Sequence, residues 1–178
     1  QFYAGNYWYN FYSFFDQLKP GTQTDRYYGD ISLSYKISES LRIKGTYRKQ
    51  NNNVWSEQTV SSDLQQGATQ SGYLASYSTS TSNSNRTNME LLITYNKKIG
   101  DFTIGATGGT DILRQLIKGN SANTVNGLNV PNLFTIGNSK DQPSVGNSRS
   151  DYRYSAIYTT GNVSYKNFLN ADFTLRQD

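Results

Sequence analysis

From Tyr27 to Arg48 the chain reads YYGDISLSYKISESLRIKGTYR, and apolar and polar positions alternate along it with a period of two. Gly29, Ile31, Leu33, Tyr35 and Ile37 fall on one face, and Tyr28, Asp30, Ser32, Ser34 and Lys36 on the other. That period belongs to a β-strand, whose successive side chains point to opposite sides of the sheet. After Ser38-Glu39-Ser40 the alternation resumes, with Leu41, Ile43, Gly45 and Tyr47 opposed to Arg42, Lys44, Thr46 and Arg48. Two such strands around a short turn predict a hairpin.

The pattern recurs twice. Met89, Leu91, Ile93 and Tyr95 alternate with Asn88, Glu90, Leu92 and Thr94; NKKIGD turns; then Phe102, Ile104, Ala106 and Gly108 alternate with Thr103, Gly105, Thr107 and Gly109. In the third hairpin Ile157, Gly161, Val163 and Tyr165 oppose Tyr158, Thr160, Asn162 and Ser164, and Lys166-Asn167 turns the chain. Leu169, Ala171, Phe173 and Leu175 then oppose Asn170, Asp172, Thr174 and Arg176. Six strands in three hairpins are predicted. Before each short turn stands a repeat, LSYKI, ITYNKK and VSYKNF, which places Tyr35, Tyr95 and Tyr165 on the apolar face.

The intervening stretches differ in character. Residues 1–26 form an aromatic-rich segment containing Tyr7, Trp8 and Tyr9, closed by the turn signal Lys19-Pro20-Gly21. Residues 27–178 hold the hairpins. Residues 49–86 are dominated by Gln, Asn, Ser and Thr, with Trp55, Tyr73 and Tyr77 among the few large side chains, and read as a long loop. Residues 110–150 carry Asn126-Gly127, Pro131 and Pro143 and read as another. Short turns thus alternate with loops of about 40 residues, the asymmetry of an outer-membrane barrel with tight periplasmic turns and large extracellular loops.

Composition narrows the reading. Hydrophobic residues make up 35% and mean hydropathy is −0.71, too little apolar surface for an ordinary soluble core. Aromatics nevertheless reach 14%, with 15 Tyr, which argues against disorder of the strands. No run approaches the ~18 apolar residues of a membrane-spanning helix. The net charge of +4 is scattered along the chain, so a nucleic-acid partner is not expected. With no Cys and no His the commonest zinc ligands and nucleophile partners are missing, and no cofactor or metal is expected. Asp and Glu are dispersed, without the paired carboxylates of a glycoside hydrolase, so the chain is not read as an enzyme.

Spacing fits a membrane. Tyr27 and Tyr35 lie eight residues apart on one face, about 26 Å along a strand and about 20 Å once tilted by about 40°, close to the ~25 Å band between aromatic girdles. Tyr27 and Tyr47 would mark the outer girdle; Tyr35, Tyr95 and Tyr165 the inner one. Asp30, Lys36, Arg42, Lys44, Arg48, Glu90, Asp172 and Arg176 would then face a lumen, where pairing across neighbouring strands is expected. Six strands cannot close a barrel, since at least about eight are needed. The fold expected is therefore an all-β, antiparallel up-and-down meander forming part of a larger barrel, and the C-terminal DFTLRQD, ending inside a strand pattern, favours a fragment.

Several segments together resemble the SusC-type TonB-dependent outer-membrane transporters of Bacteroidetes: GDISLSYKISESLRIKGTYR, YNKKIGDFTIGATGG, GLNVPNLFTIGNSKDQP, YTTGNVSYKNFLNADFTLRQD and NYWYN at 6–10. Tyr7 stands where that family usually has Pro, and Arg176-Gln177-Asp178 replaces its usual RND. The resemblance implies a barrel of about 22 strands that imports glycan oligomers or peptides, driven by TonB and served by a SusD-like surface lipoprotein. Tyr7, Trp8, Tyr9, Trp55, Tyr73 and Tyr77 would be the contacts for ligand or partner. The alternative is a non-transporting outer-membrane surface protein or adhesin whose loops bind a ligand.

Overall fold

The computed structural model describes residues 15–62, 74–166 and 168–178. It holds a single six-stranded antiparallel sheet in which every strand pairs with its neighbour in sequence. The strands are β1 (Leu18–Lys36), β2 (Leu41–Val60), β3 (Ser76–Ile99), β4 (Phe102–Leu128), β5 (Ser139–Tyr165) and β6 (Leu169–Gln177). The expected all-β meander, with its three hairpins in the expected order, is what the chain forms.

Each short turn has a local cause. At the first, Ser38 Oγ accepts hydrogen bonds from the amides of Ser40 (3.3 Å) and Leu41 (3.1 Å), and the Ile37 amide closes onto the Leu41 carbonyl at 2.9 Å. A serine that bonds its own following backbone is a turn former. The second turns on Gly100, at φ +60, which favours a residue without a side chain. In the third, Lys166 takes φ 45 and its amide donates to the Asp101 carbonyl of the second turn at 2.9 Å.

The predicted long loops are mostly strand. β2 runs on to Val60, β3 starts at Ser76, β4 reaches Leu128 and β5 starts at Ser139. The connections shrink to residues 61–75 and 129–138, the latter including one 3-10 turn at Ile136–Asn138. Thr, Val, Trp and Tyr have high strand propensity, and a polar residue fits a strand that is wet on both sides. Polarity on both faces hides the alternation that marks a strand. Lys19-Pro20-Gly21 is likewise strand, within β1, and not a turn.

The sheet is one layer without a packed core. Among the described residues the buried hydrophobics are Val60, Leu113, Leu128 and Ala156, and none of the large side chains is fully buried. The molecule divides into two compact units, one of Gln1–Asp25, Asn52–Asn83 and Ile117–Arg149, the other of Arg26–Asn51, Ser84–Leu116 and Ser150–Asp178. The second contains the short turns and the alternating stretches; the first contains the polar strand extensions.

Candidate functional site

Within the second unit the two faces of the sheet carry opposite chemistry. Ile31, Leu33 and Tyr35 of β1 are 68, 77 and 72% exposed, and Met89, Leu91, Ile93, Phe102, Ile112, Ile157, Phe173 and Leu175 are exposed with them. A contiguous apolar face left open to this extent is a surface built to be covered. Near the short turns it carries an aromatic cluster: Tyr165 lies 4.8 Å from Phe102 and 5.8 Å from Phe168, ring centre to ring centre. Between β5 and β6, Gly161 faces Phe173, whose ring covers the glycine. Such a cross-strand aromatic shields backbone that glycine leaves bare.

The opposite face bears a hydrogen-bonded rail that crosses β2 to β5. Arg48 on β2 donates to Asn88 Oδ1 at 2.8 Å and to Glu90 Oε2 at 3.0 Å, both on β3. Asn88 donates through Nδ2 to Asp111 on β4. The other oxygen of Glu90 accepts from the Tyr158 hydroxyl of β5 at 3.1 Å. On β6 the Arg176 guanidinium lies 5.8 Å from the ring centres of both Tyr154 and Tyr158, cation-π distance. Beside the rail is a cavity of ≈ 310 Å³ lined by Tyr28, Arg48, Arg86, Asn88, Asp111 and Leu113.

Tyr158 reaches Glu90 over an intervening strand. β3 and β5 are separated by β4, so the span is about two strand spacings, roughly 9–10 Å. Gly109 of β4 makes this possible, because a Cβ there would stand 2.5 Å from Tyr158 Cζ. Glycine within a strand marks a close approach, the one signal in the sequence that pointed to this crossing. Asn88, Asp111 and Tyr158 were not among the residues singled out from the sequence.

The expected charge pairing is met at one place. Arg48 and Glu90 pair, and Arg176 pairs with Asp178 of its own strand end at 2.9 Å. Among the described residues, Asp30, Arg42, Lys44 and Asp172 have no oppositely charged group within ion-pair distance. Even β-neighbours of opposite sign meet only when register sets them side by side.

The first unit holds two of the sequence-nominated aromatics. Trp55, 39% exposed, borders a depression of ≈ 540 Å³ with Asp25, Asn53, Thr81, Lys118 and Asn120. Asn83 donates to Asn53 across its floor. Tyr77 donates its hydroxyl to Glu57 at 3.2 Å, and burial, then this bond and the charge of Glu57, push its pKa above the usual phenol value. Tyr7, Trp8, Tyr9 and Tyr73 lie outside the described residues. Of the aromatics expected at a membrane interface, Tyr27 (68%) and Tyr47 (41%) are exposed like Tyr35.

The connection after β4 in this unit is organised by one side chain that the sequence did not advertise. Asn138, 6% exposed, donates to the carbonyls of Val130 and Leu133, both at 2.8 Å, and accepts from the Val130 amide at 2.9 Å. Asn132, at φ 59, accepts from Ser61 Oγ and the Ser62 amide, tying this connection to the end of β2.

The same architecture is found in solved structures. The RagAB peptide importer in the 'closed-closed' state matches with a TM-score of 0.78 at 11% identity, covering 90% of this chain and 18% of that one. A second structure of the RagAB peptide transporter matches with the same values. This chain shares the fold of one sector of those β-barrel chains. The sector spans under a fifth of the chains it matches. No family model and no curated protein sequence matches it.

Proposed function

We propose that this sector belongs to the barrel of a SusC-type, TonB-dependent transporter in the bacterial outer membrane. Such a transporter would import large nutrients, glycan oligomers or peptides, with a SusD-like lipoprotein at its surface and no catalytic step of its own. The observation that carries the reading is the two-faced sheet, apolar and exposed on one side, hydrogen-bonded and charged on the other, in a fold shared over 90% of the chain with a peptide importer. In this reading the apolar face meets lipid, with Tyr27, Tyr35, Tyr47, Tyr95 and Tyr165 at its edges. Asp30, Arg42, Lys44, Arg48, Glu90, Asp172 and Arg176 face the lumen. The strand extensions of the first unit present Trp55 and Tyr77 to ligand or lipoprotein, and Tyr7, Trp8, Tyr9 and Tyr73 are proposed as further contacts.

The test is made in the native cell. Outer membranes are isolated, the polypeptide containing these residues is sized and its co-purifying lipoprotein identified. Uptake of labelled oligopeptides and oligosaccharides is then compared with and without TonB. A barrel of roughly 100 kDa or more, a lipoprotein partner and TonB-dependent uptake of one ligand class are expected. Uptake unaffected by loss of the protein, or a polypeptide outside the outer membrane, overturns the proposal.

A further inference from the structure

On the face that is apolar in the second unit, the chemistry changes abruptly away from the short turns. Lys49 follows Tyr47 on β2, Thr87 precedes Met89 on β3, Arg114 follows Ile112 on β4, and Asp151 and Arg153 precede Ile157 on β5, all in the same alternation phase. They form two groups along this row: on β2 and β3, Lys49 Nζ donates to Thr87 Oγ1 at 3.0 Å. Arg114 grips Asp151 through Nε at 3.3 Å and Nη2 at 3.0 Å, and Arg153 reaches the same carboxylate at 3.4 Å. The guanidinium side chains stay 51 and 68% exposed while Asp151 is 24% exposed. Two guanidiniums against one carboxylate leave one positive charge over on β4 and β5, and Lys49 adds another on β2.

From this we infer a binding strip for the phosphate of a lipid headgroup, formed by Lys49, Arg114 and Arg153 at the rim of the apolar face. The inference rests on the reading of that face as lipid-facing. Acyl chains lying on Ile112, Met89 and Ile157 bring their own headgroup to the height where the cations begin. Lys/Arg at a membrane boundary attracts anionic headgroups. Arg supplies forked donors suited to phosphate oxygens. A strip serving only as a solvated rim would not need Asp151, which holds two guanidiniums side by side on one carboxylate. That clamp orients them, and it also lowers the net charge that a phosphate would see.

The experiment uses the full-length protein in detergent, titrated with bis-phosphorylated lipid A, dephosphorylated lipid A and inorganic phosphate, with bound lipid counted by native mass spectrometry. Wild type should retain lipid A at least fivefold better than the dephosphorylated form, with inorganic phosphate a poor competitor. The triple substitution Lys49→Gln, Arg114→Gln, Arg153→Gln should abolish that preference, and Asp151→Asn should strengthen it. Each variant is first checked for a folded, heat-modifiable band in the outer membrane. Equal retention of both lipids by wild type, an undiminished preference in the triple variant, or weaker binding by Asp151→Asn overturns the strip. Absence of wild-type protein from the outer membrane would instead overturn the transporter reading.

Discussion

Ile31 is the sharpest place to test which side of the sheet meets lipid. It lies four residues from both Tyr27 and Tyr35 on β1, and it is 68% exposed. Four residues are about 13 Å along a strand, or about 10 Å of depth at a tilt near 40°, so Ile31 falls near the middle of a band about 25 Å tall. An Arg at that depth costs about 2–4 kcal/mol, a loss of roughly 30- to 700-fold in the folded population. Ser32 is the next residue and points the other way, alongside Asp30, Ser34 and Lys36. An Arg at Ser32 should cost no more than an ordinary surface change, within about 0.5 kcal/mol. Exposure cannot distinguish the two positions, since all of β1 from Thr22 onward is exposed; alternation alone does. Folded protein in the outer-membrane fraction, scored by its heat-dependent gel shift, should fall more than tenfold for Ile31→Arg and stay at wild-type level for Ser32→Arg. Equal yields, or the reverse order, would refute the assignment of faces.

Three further outcomes follow. Gly109→Ala should dislodge Tyr158 from Glu90, because the new Cβ would sit 2.5 Å from the ring; a double-mutant cycle with Tyr158→Ala, read by denaturant unfolding, should show coupling of about 0.5–3 kcal/mol, and strict additivity would count against the crossing. Asn138→Ala leaves the Val130 and Leu133 carbonyls without their donor; at about 1–3 kcal/mol for a buried unsatisfied group, residues 129–138 should lose hydrogen-exchange protection while β6 keeps its own. The raised pKa of Tyr77 means the folded state favours the protonated phenol, so its stabilisation is complete below the ordinary value of about 10 and is lost as pH rises through the folded value. The 295-nm titration difference between wild type and Tyr77→Phe should therefore be a step above pH 10, and a step at or below it would contradict the Glu57 contact.

What could be read from the sequence depended on contrast between the faces. Where Ile, Leu and Tyr oppose Asp, Ser and Lys, as from Gly29 to Lys36, period and phase are both explicit, and the hairpins followed. Where Ser, Thr and Asn occupy both phases, as in SYSTSTSNSN at the start of β3, the period is present in the backbone and invisible in the side chains. Such stretches read as loops. The rail on the polar face shows a second limit. Alternation puts Arg48 and Glu90 on the polar side of their strands, but that they pair depends on how β2 lies against β3, and Tyr158 enters only because Gly109 clears a path. Asn138 gave no signal at all, since its role depends on carbonyls turned inward by a connection whose path no periodicity encodes.

The lengths of the strands carry the last step. A β-strand crosses a bilayer in about 9–11 tilted residues, whereas β3, β4 and β5 run to 24, 27 and 27. The surplus is the polar material of the first unit, which has little apolar surface to bury. Its ladder is reinforced instead by side-chain bonds such as Thr22 to Ser56 at 3.3 Å and Asn83 to Asn53, and by the Asn138 hub. Cross-strand pairs of this kind contribute about 0.2–1 kcal/mol each, so many are needed, and Ser, Thr and Asn supply them at nearly every position. Trp55 and Tyr77 are mounted on strands and not on free loops; on the proposed reading of them as ligand or lipoprotein contacts, the ordering cost of that surface is met during folding rather than during capture.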